Sequence, residues 1–115
     1  MKDKYQVIWT DLAESQLDLI LQYISENFGY DATLKLLDDV EHTNCLLATQ
    51  PYIGFVEPSL VDCAKVYRCL VINKHDKVIY CVDDNTIEVV IFWDCRQNPQ
   101  KMLKLIMDEE KHLDI

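Results

Sequence analysis

The side chains best placed to do chemistry in this sequence are two arginines, three histidines and five cysteines. Arg68 and Arg96 are the only guanidiniums, and each stands where a β-rich segment starts or ends. A lone arginine on an apolar strand either anchors a carboxylate or the last carbonyls of a packed helix, or presents a fork for phosphate or carboxylate. Asp94 is the natural counter-charge for Arg68 or Arg96. His75, between two strand-like runs, is the one nearby proton carrier, or else a solvated loop residue. Cys45, Cys63, Cys69, Cys81 and Cys95 are scattered, odd in number and form no C-x-x-C. His42, His75 and His112 are not spaced around them as metal ligands. No zinc site, disulfide or cofactor is expected, and the thiols read as small buried groups kept reduced.

Charge divides the chain. Residues 1–62 hold three bases against eleven acids, whereas residues 63–107 hold seven bases against five acids. The net charge of −9 is wrong for a nucleic-acid binder, but both arginines lie in the mildly basic half, so a locally positive face on an acidic body is expected. No apolar run approaches the roughly 20 residues that cross a bilayer. Met1-Lys2-Asp3-Lys4 leads straight into an alternating segment rather than a signal peptide. The expected location is the cytoplasm, with no membrane partner.

The elements that must carry these residues follow from periodicity. Tyr5–Trp9 is short, β-branched and aromatic, and so a strand. Thr10 and Asp11 supply an N-cap, and Leu12, Leu17, Ile20, Leu21, Ile24 and Phe28 recur at helical spacing to about Asn27. Gly29 ends that helix and Asp31 caps a second, with Leu36, Leu37, Val40, Leu46 and Leu47 as its apolar stripe and Pro51 beyond it. A link follows to about Cys63, in which Tyr52 and Phe55 are expected to be exposed and suited to docking.

The period then becomes two. Val66–Ile72, Val78–Val82 and Ile87–Trp93 read as strands. Asn73–Lys77 forms the first hairpin loop and Asp84-Asn85 a tight second turn. That five-residue loop would set Cys69 opposite Cys81, a packed pair rather than a redox switch, and would put Arg68 and Lys77 on opposite faces. Trp9 and Trp93 should pack near the helices. Asn98 caps a last helix with Pro99 at its first position, made amphipathic by Met102, Leu103, Leu105, Ile106 and Leu113. The expectation is one α+β domain over residues 1–115, in the order β-α-α-β-β-β-α. Its antiparallel sheet carries the N-terminal helical hairpin on one face, with the two guanidiniums gathered near one end of the meander.

Over residues 5–106 this order resembles the RelE/ParE toxin superfamily. Ala13 with Leu17 and Ile20 is similar to the family's first helix, and Ala32-Thr33 to the opening of its second. Leu47, Pro51 and Gly54 resemble its L-x3-P-x2-G link. Arg68–Ile72, Val78–Val82 and Ile87–Ile91 resemble its R-x-L…Y…I-x-V-x-I sheet signature, and Asp94–Pro99 the segment closing its last strand. The resemblance implies a toxin of a type II toxin–antitoxin pair, silenced by a cognate antitoxin that wraps it, in a homodimer or a toxin–antitoxin hetero-oligomer.

Its two branches differ in target. RelE-like members cleave messenger RNA on the ribosome; ParE-like members poison DNA gyrase and cleave nothing. By position Arg68, Lys77 and Arg96 match the basic residues of the nuclease branch, where fixed cations would stabilise a phosphorane and a general acid and base would move two protons. Two features depart from that pattern. Leu70 stands where a second lysine is expected, and Pro99–Lys111 contains no tyrosine. An acidic body also disfavours ribosomal RNA. The sequence therefore favours a ParE-like toxin acting by protein–protein contact, with Arg68, Asp94, Arg96, Tyr52 and Phe55 as partner-binding or structural residues. The alternatives are a ribosome-dependent endoribonuclease and a degenerate member that binds its antitoxin without toxicity.

Overall fold

The computed structural model describes residues 4–113; Met1–Asp3 and the His112 and Leu113 side chains, on which two of the expectations above fall, lie outside that description. Strand β1 (Gln6–Trp9) is followed by helices α1 (Asp11–Phe28) and α2 (Tyr30–Thr49). A short strand β2 (Phe55–Val56) and a 3-10 turn (Pro58–Leu60) precede β3 (Arg68–Val71), β4 (Asp76–Asp83), β5 (Thr86–Asp94) and helix α3 (Pro99–Leu113). The α+β order is as expected, with β2 added at the sheet edge.

The sheet order is β1-β5-β4-β3-β2. The expected meander is antiparallel, and β1 joins the same sheet. It lies parallel to β5, so the sheet is mixed; β1 and β5 are far apart in the chain, and no hairpin forces them to run in opposite directions.

Caps fix where the helices begin and end. Thr10 Oγ1 accepts from the Ala13 N–H (3.1 Å) and starts α1. Asn98 caps α3, its side-chain oxygen accepting from the Gln100 N–H (3.0 Å). Gly29, at φ 90°, ends α1 and is also the N-cap of α2, so Asp31 sits inside the first turn rather than capping it. A φ of this sign is strained for any residue with a Cβ, which is why glycine stands at the reversal.

Each face of the sheet has its own core. Ala13, Leu36, Val40 and Leu47 of the hairpin cover Val78, Tyr80, Ile87, Val89 and Phe92. On the other face Met102 and Ile106 of α3, with Leu60, cover Cys69, Ile79, Cys81, Ile91 and Trp93. Trp9 stacks on Phe92 at 6.3 Å and donates to Asn44 (2.8 Å). Tyr67 reaches Glu110 of α3 with a 3.0 Å hydrogen bond.

Two irregularities decide which side chains share a face. The β3–β4 turn is tighter than expected, because Asn73 Oδ1 accepts from the His75 and Asp76 N–H groups (2.9 and 3.0 Å) and draws β4 back to Asp76. Cys69 consequently faces Ile79, not Cys81, and the cross-strand cysteine pair does not exist. The slip is two residues, so every face is preserved. Burial raises both thiols, Cys69 to about 11 and Cys81 to about 12, which keeps them protonated and inert.

The second irregularity is a bulge. Ile79 pairs with Ile91 but Tyr80 with Val89, which leaves Val90 as an extra residue in β5. Its carbonyl accepts from Thr10 Oγ1 (2.9 Å), and Gln16 Oε1 accepts from the Phe92 N–H (3.0 Å). The α1 N-cap and a side chain of α1 thus continue the ladder beyond the end of β1. The bulge sends Val90 and Ile91 both towards α3 and returns Phe92 and Asp94 to the hairpin side.

Candidate functional site

A groove of about 760 Å³ opens between the Gly29 end of the helical hairpin and the β3–β4 turn. Its helical wall is mostly apolar, built from Ile20, Tyr23, Ile24, Phe28 and Leu36, with the Lys35 and Asp39 ion pair also on it. Its sheet wall is polar, built from Asn73, Lys74, His75, Asp76, Asp94 and Arg96. The Asn73 turn and a hydrogen bond from the Cys95 N–H to the His75 carbonyl (2.7 Å) fix that wall.

Asp76 and Asp94 lie directly opposite each other on the ladder. Asp94 accepts from Arg96 Nε (3.0 Å), Nη2 (2.8 Å) and backbone N–H (2.9 Å), a forked arrangement that holds its carboxyl below the usual range. Asp76 is only 6 % exposed, and no ion pair reaches it among the described residues. Burial raises its carboxyl and the Asp94 charge adds to that, while the Asn73 hydrogen bond and the nearby Arg96 and His75 oppose it without cancelling it. Like charges opposed across a ladder destabilise. Asp76→Asn should therefore raise stability by about 0.5–1 kcal/mol at pH 7, measured by urea unfolding. Because the folded-state pKa of Asp76 is raised, its unfavourable contribution fades as pH falls, and the gain from the substitution should shrink in acid.

A second cluster pins the sheet edge. Arg68 donates to the Gly54 carbonyl (2.8 Å), and its guanidinium lies 5.1 Å from the Tyr52 ring centre. Tyr80 Oη accepts from the Gly54 N–H (2.9 Å). A Cβ at Gly54 would fall 2.4 Å from the Cys69 carbonyl oxygen and 2.7 Å from Tyr80 Oη. On the α3 face, Lys77 Nζ pairs with Glu57, which is 2 % exposed and also accepts from the Ser59 N–H (3.1 Å). Burial alone would push the Glu57 carboxyl up; Lys77 and Ser59 outweigh it and hold the group below its ordinary value.

These placements separate the expected residues. Arg68, opposite Tyr80, is on the hairpin side, and Lys77, between Asp76 and Val78, is on the α3 side, as alternation requires. Arg96 follows Asp94, which lies level with Asp76. Four residues of β4 separate that level from Arg68, about 13 Å along the strand. The expected gathering of the guanidiniums is therefore overturned: β3 and β5 run the same way, and Arg68 begins one whereas Arg96 follows the end of the other. Three of the seven expected cations, Lys77, Arg96 and Lys65, are matched by Glu57, Asp94 and Glu88. Tyr52 (60 %), just before the edge strand, and Phe55 (56 %), within it, are exposed, as expected. Glu57 and Asp76 were not singled out by sequence reasoning. An acid flanked by apolar residues, as in Phe55-Val56-Glu57-Pro58, is the one signal that could have marked the first.

A mixed sheet with an α-helical hairpin on one face and a C-terminal helix on the other defines the RelE/ParE-like toxin fold. It is shared with a solved structure of the chromosomal ParDE TA system from P. aeruginosa, at TM-score 0.64 and 21 % identity, covering 79 % of this chain and 96 % of that one. The YoeB dimer from Staphylococcus aureus aligns at TM-score 0.49 and 17 % identity, covering 76 % of this chain and 93 % of that one. Comparison with curated protein sequences gives no match. The family described as ParE toxin of type II toxin-antitoxin system, parDE, matches residues 7–99, and the chain belongs to it. No helix among the described residues is long and apolar enough to cross a membrane.

Proposed function

We propose that this chain is a cytoplasmic toxin that acts by protein–protein contact, in the manner of the ParE branch, and is neutralised by an antitoxin encoded beside it. The observation that carries this reading is the dispersal of its cations. A nuclease needs unpaired positive groups converging on one phosphate. Here Lys77 is bound to a buried carboxylate, Arg96 is forked onto Asp94, and Arg68 is committed to the Gly54 carbonyl. Arg68 and Lys77 point to opposite faces, and Arg96 follows the end of β5 at a level of the sheet remote from Arg68.

The exposed apolar edge around Tyr52, Phe55 and Val56 supports antitoxin contact there. The contact would take an extended segment or an amphipathic helix. The toxin surface acting on a target, with DNA gyrase the first to assay, is proposed to be freed when the antitoxin is lost.

Induced expression of the chain alone should arrest growth, and co-expression of the neighbouring gene product should restore it with recovery of a complex. Gyrase supercoiling by purified enzyme should fall on adding the chain, while translated messages stay intact. Cleaved message ends mapping to ribosomal positions would instead establish the endoribonuclease. Normal growth with a complex still recovered would establish the degenerate binder.

A further inference from the structure

Resting on that reading, we propose that the groove between the hairpin and the β3–β4 turn receives a lysine or arginine of the antitoxin, carried on an apolar-faced segment, with Asp76 as its counter-ion. The sheet wall holds two opposed carboxylates, of which only Asp94 is in an ion pair among the described residues. A carboxylate can accept about four hydrogen bonds. Asp76 has the Asn73 side chain as its hydrogen-bonding neighbour and no ion pair among the described residues. Asp76 is hydrogen-bonded but buried and outside any ion pair among the described residues, so a cation brought against it gains, and the groove is the side from which one can arrive.

The opposite wall fits the carrier of that cation. Tyr23 and Phe28 leave more than half of their surface uncovered and meet edge to face at 6.2 Å. Such rings bind apolar side chains and, through their faces, cations. Ile20, Ile24 and Leu36 extend the wall inward.

An anionic occupant has less to gain. Arg96 is satisfied by Asp94 and Lys35 by Asp39 (3.8 Å), while Lys74 and His75 on the rim are exposed and hydrated. The net charge of −9 also draws a basic segment towards the surface.

The test is a titration of the ¹⁵N-labelled chain by NMR with three probes of similar shape: benzamidine, benzyl alcohol and benzoate. Benzamidine should shift the amides of Tyr23, Phe28 and His75–Lys77 and bind at least tenfold more tightly than the other two. Asp76→Asn should lower benzamidine affinity at least tenfold while the spectrum stays dispersed. Tyr23→Ala, an exposed position, should lower it as well. Equal binding of benzamidine and benzyl alcohol, tighter binding of benzoate, or indifference to Asp76→Asn would overturn the proposal.

In the complex with the neighbouring gene product, Asp76→Asn should raise the Kd at least tenfold and weaken its salt dependence. If the Kd does not move although the antitoxin still neutralises the toxin, the toxin reading stands and the cationic anchor falls. If no complex forms and growth is normal, the toxin reading falls and the fragment titration still decides the groove.

Discussion

Lys77→Met should lower stability by about 3–5 kcal/mol at pH 7, the cost of leaving a buried carboxylate without its cation. Glu57 would keep only neutral contacts, the Ser59 N–H chief among them, in a site almost closed to water. Urea unfolding measures the loss, and Glu57→Gln combined with Lys77→Met should recover much of it, because the cost lies in the orphaned charge rather than in the missing ammonium. The pH dependence carries a distinctive sign. In the native chain the Glu57 carboxyl is held below its ordinary value, so its favourable contribution is complete above the unfolded pKa, roughly 4.3, and is lost as pH falls through the lower folded value. In Lys77→Met burial is no longer outweighed, the folded pKa rises, and acidification should narrow the gap to the native chain. An acid-independent difference would mean that Glu57 is not the group responsible.

The second large effect is expected at Gly54. Gly54→Ala places a methyl group 2.4 Å from a backbone carbonyl oxygen and 3.0 Å from its carbon, neither of which can rotate away. The chain must move, and movement breaks the bonds from the Gly54 N–H to Tyr80 and from Arg68 to the Gly54 carbonyl. Overpacking and lost buried hydrogen bonds each cost about 1–3 kcal/mol, so a total of about 3 kcal/mol or more is expected. Circular dichroism melting checks this, and hydrogen exchange should show β2 opening first. Tyr80→Phe, which removes one of these bonds without a clash, should cost about 1–3 kcal/mol less than the glycine substitution does in total.

The sequence makes the hairpin helices and the meander legible because each rests on a local period. Leu12, Leu17, Ile20, Leu21 and Ile24 mark one face of α1, and the short β-branched and aromatic run from Val78 to Val82 marks β4. Thr10 and Asn98 are read as caps because a side-chain oxygen ahead of a helix has one favourable use. Strand β2 escapes such reading: two residues have no period, and their place is set by Arg68, Tyr80 and Gly54, which meet only in three dimensions. The β3–β4 register shifts by two because one amide of Asn73 shortens the turn, a choice that residue spacing alone does not determine.

The candidate site divides in the same way. Arg68, Lys77 and Arg96 stand out by charge, yet their partners fix their roles. Glu57 and Tyr52 come from the link, whereas Asp94 is adjacent in sequence and could be foreseen. Asp76 was invisible because an acid beside a hairpin turn is ordinarily hydrated. Its burial depends on the folded sheet and turn around it, to which nothing local in Lys74-His75-Asp76 refers.

The extra residue at Val90 makes β5 a two-register strand. Before it, odd-numbered positions look towards the hairpin; after it, even-numbered ones do. Without that offset Trp93 would sit beneath the hairpin and Asp94 beneath α3, and the acidic floor of the groove would lose one of its two carboxylates. Such a phase change lets a single strand bury two incompatible patterns, and it ties the chemistry of the groove to the spacing of the chain: an insertion or deletion anywhere between Ile87 and Trp93 would exchange one face for the other as surely as replacing the side chains themselves.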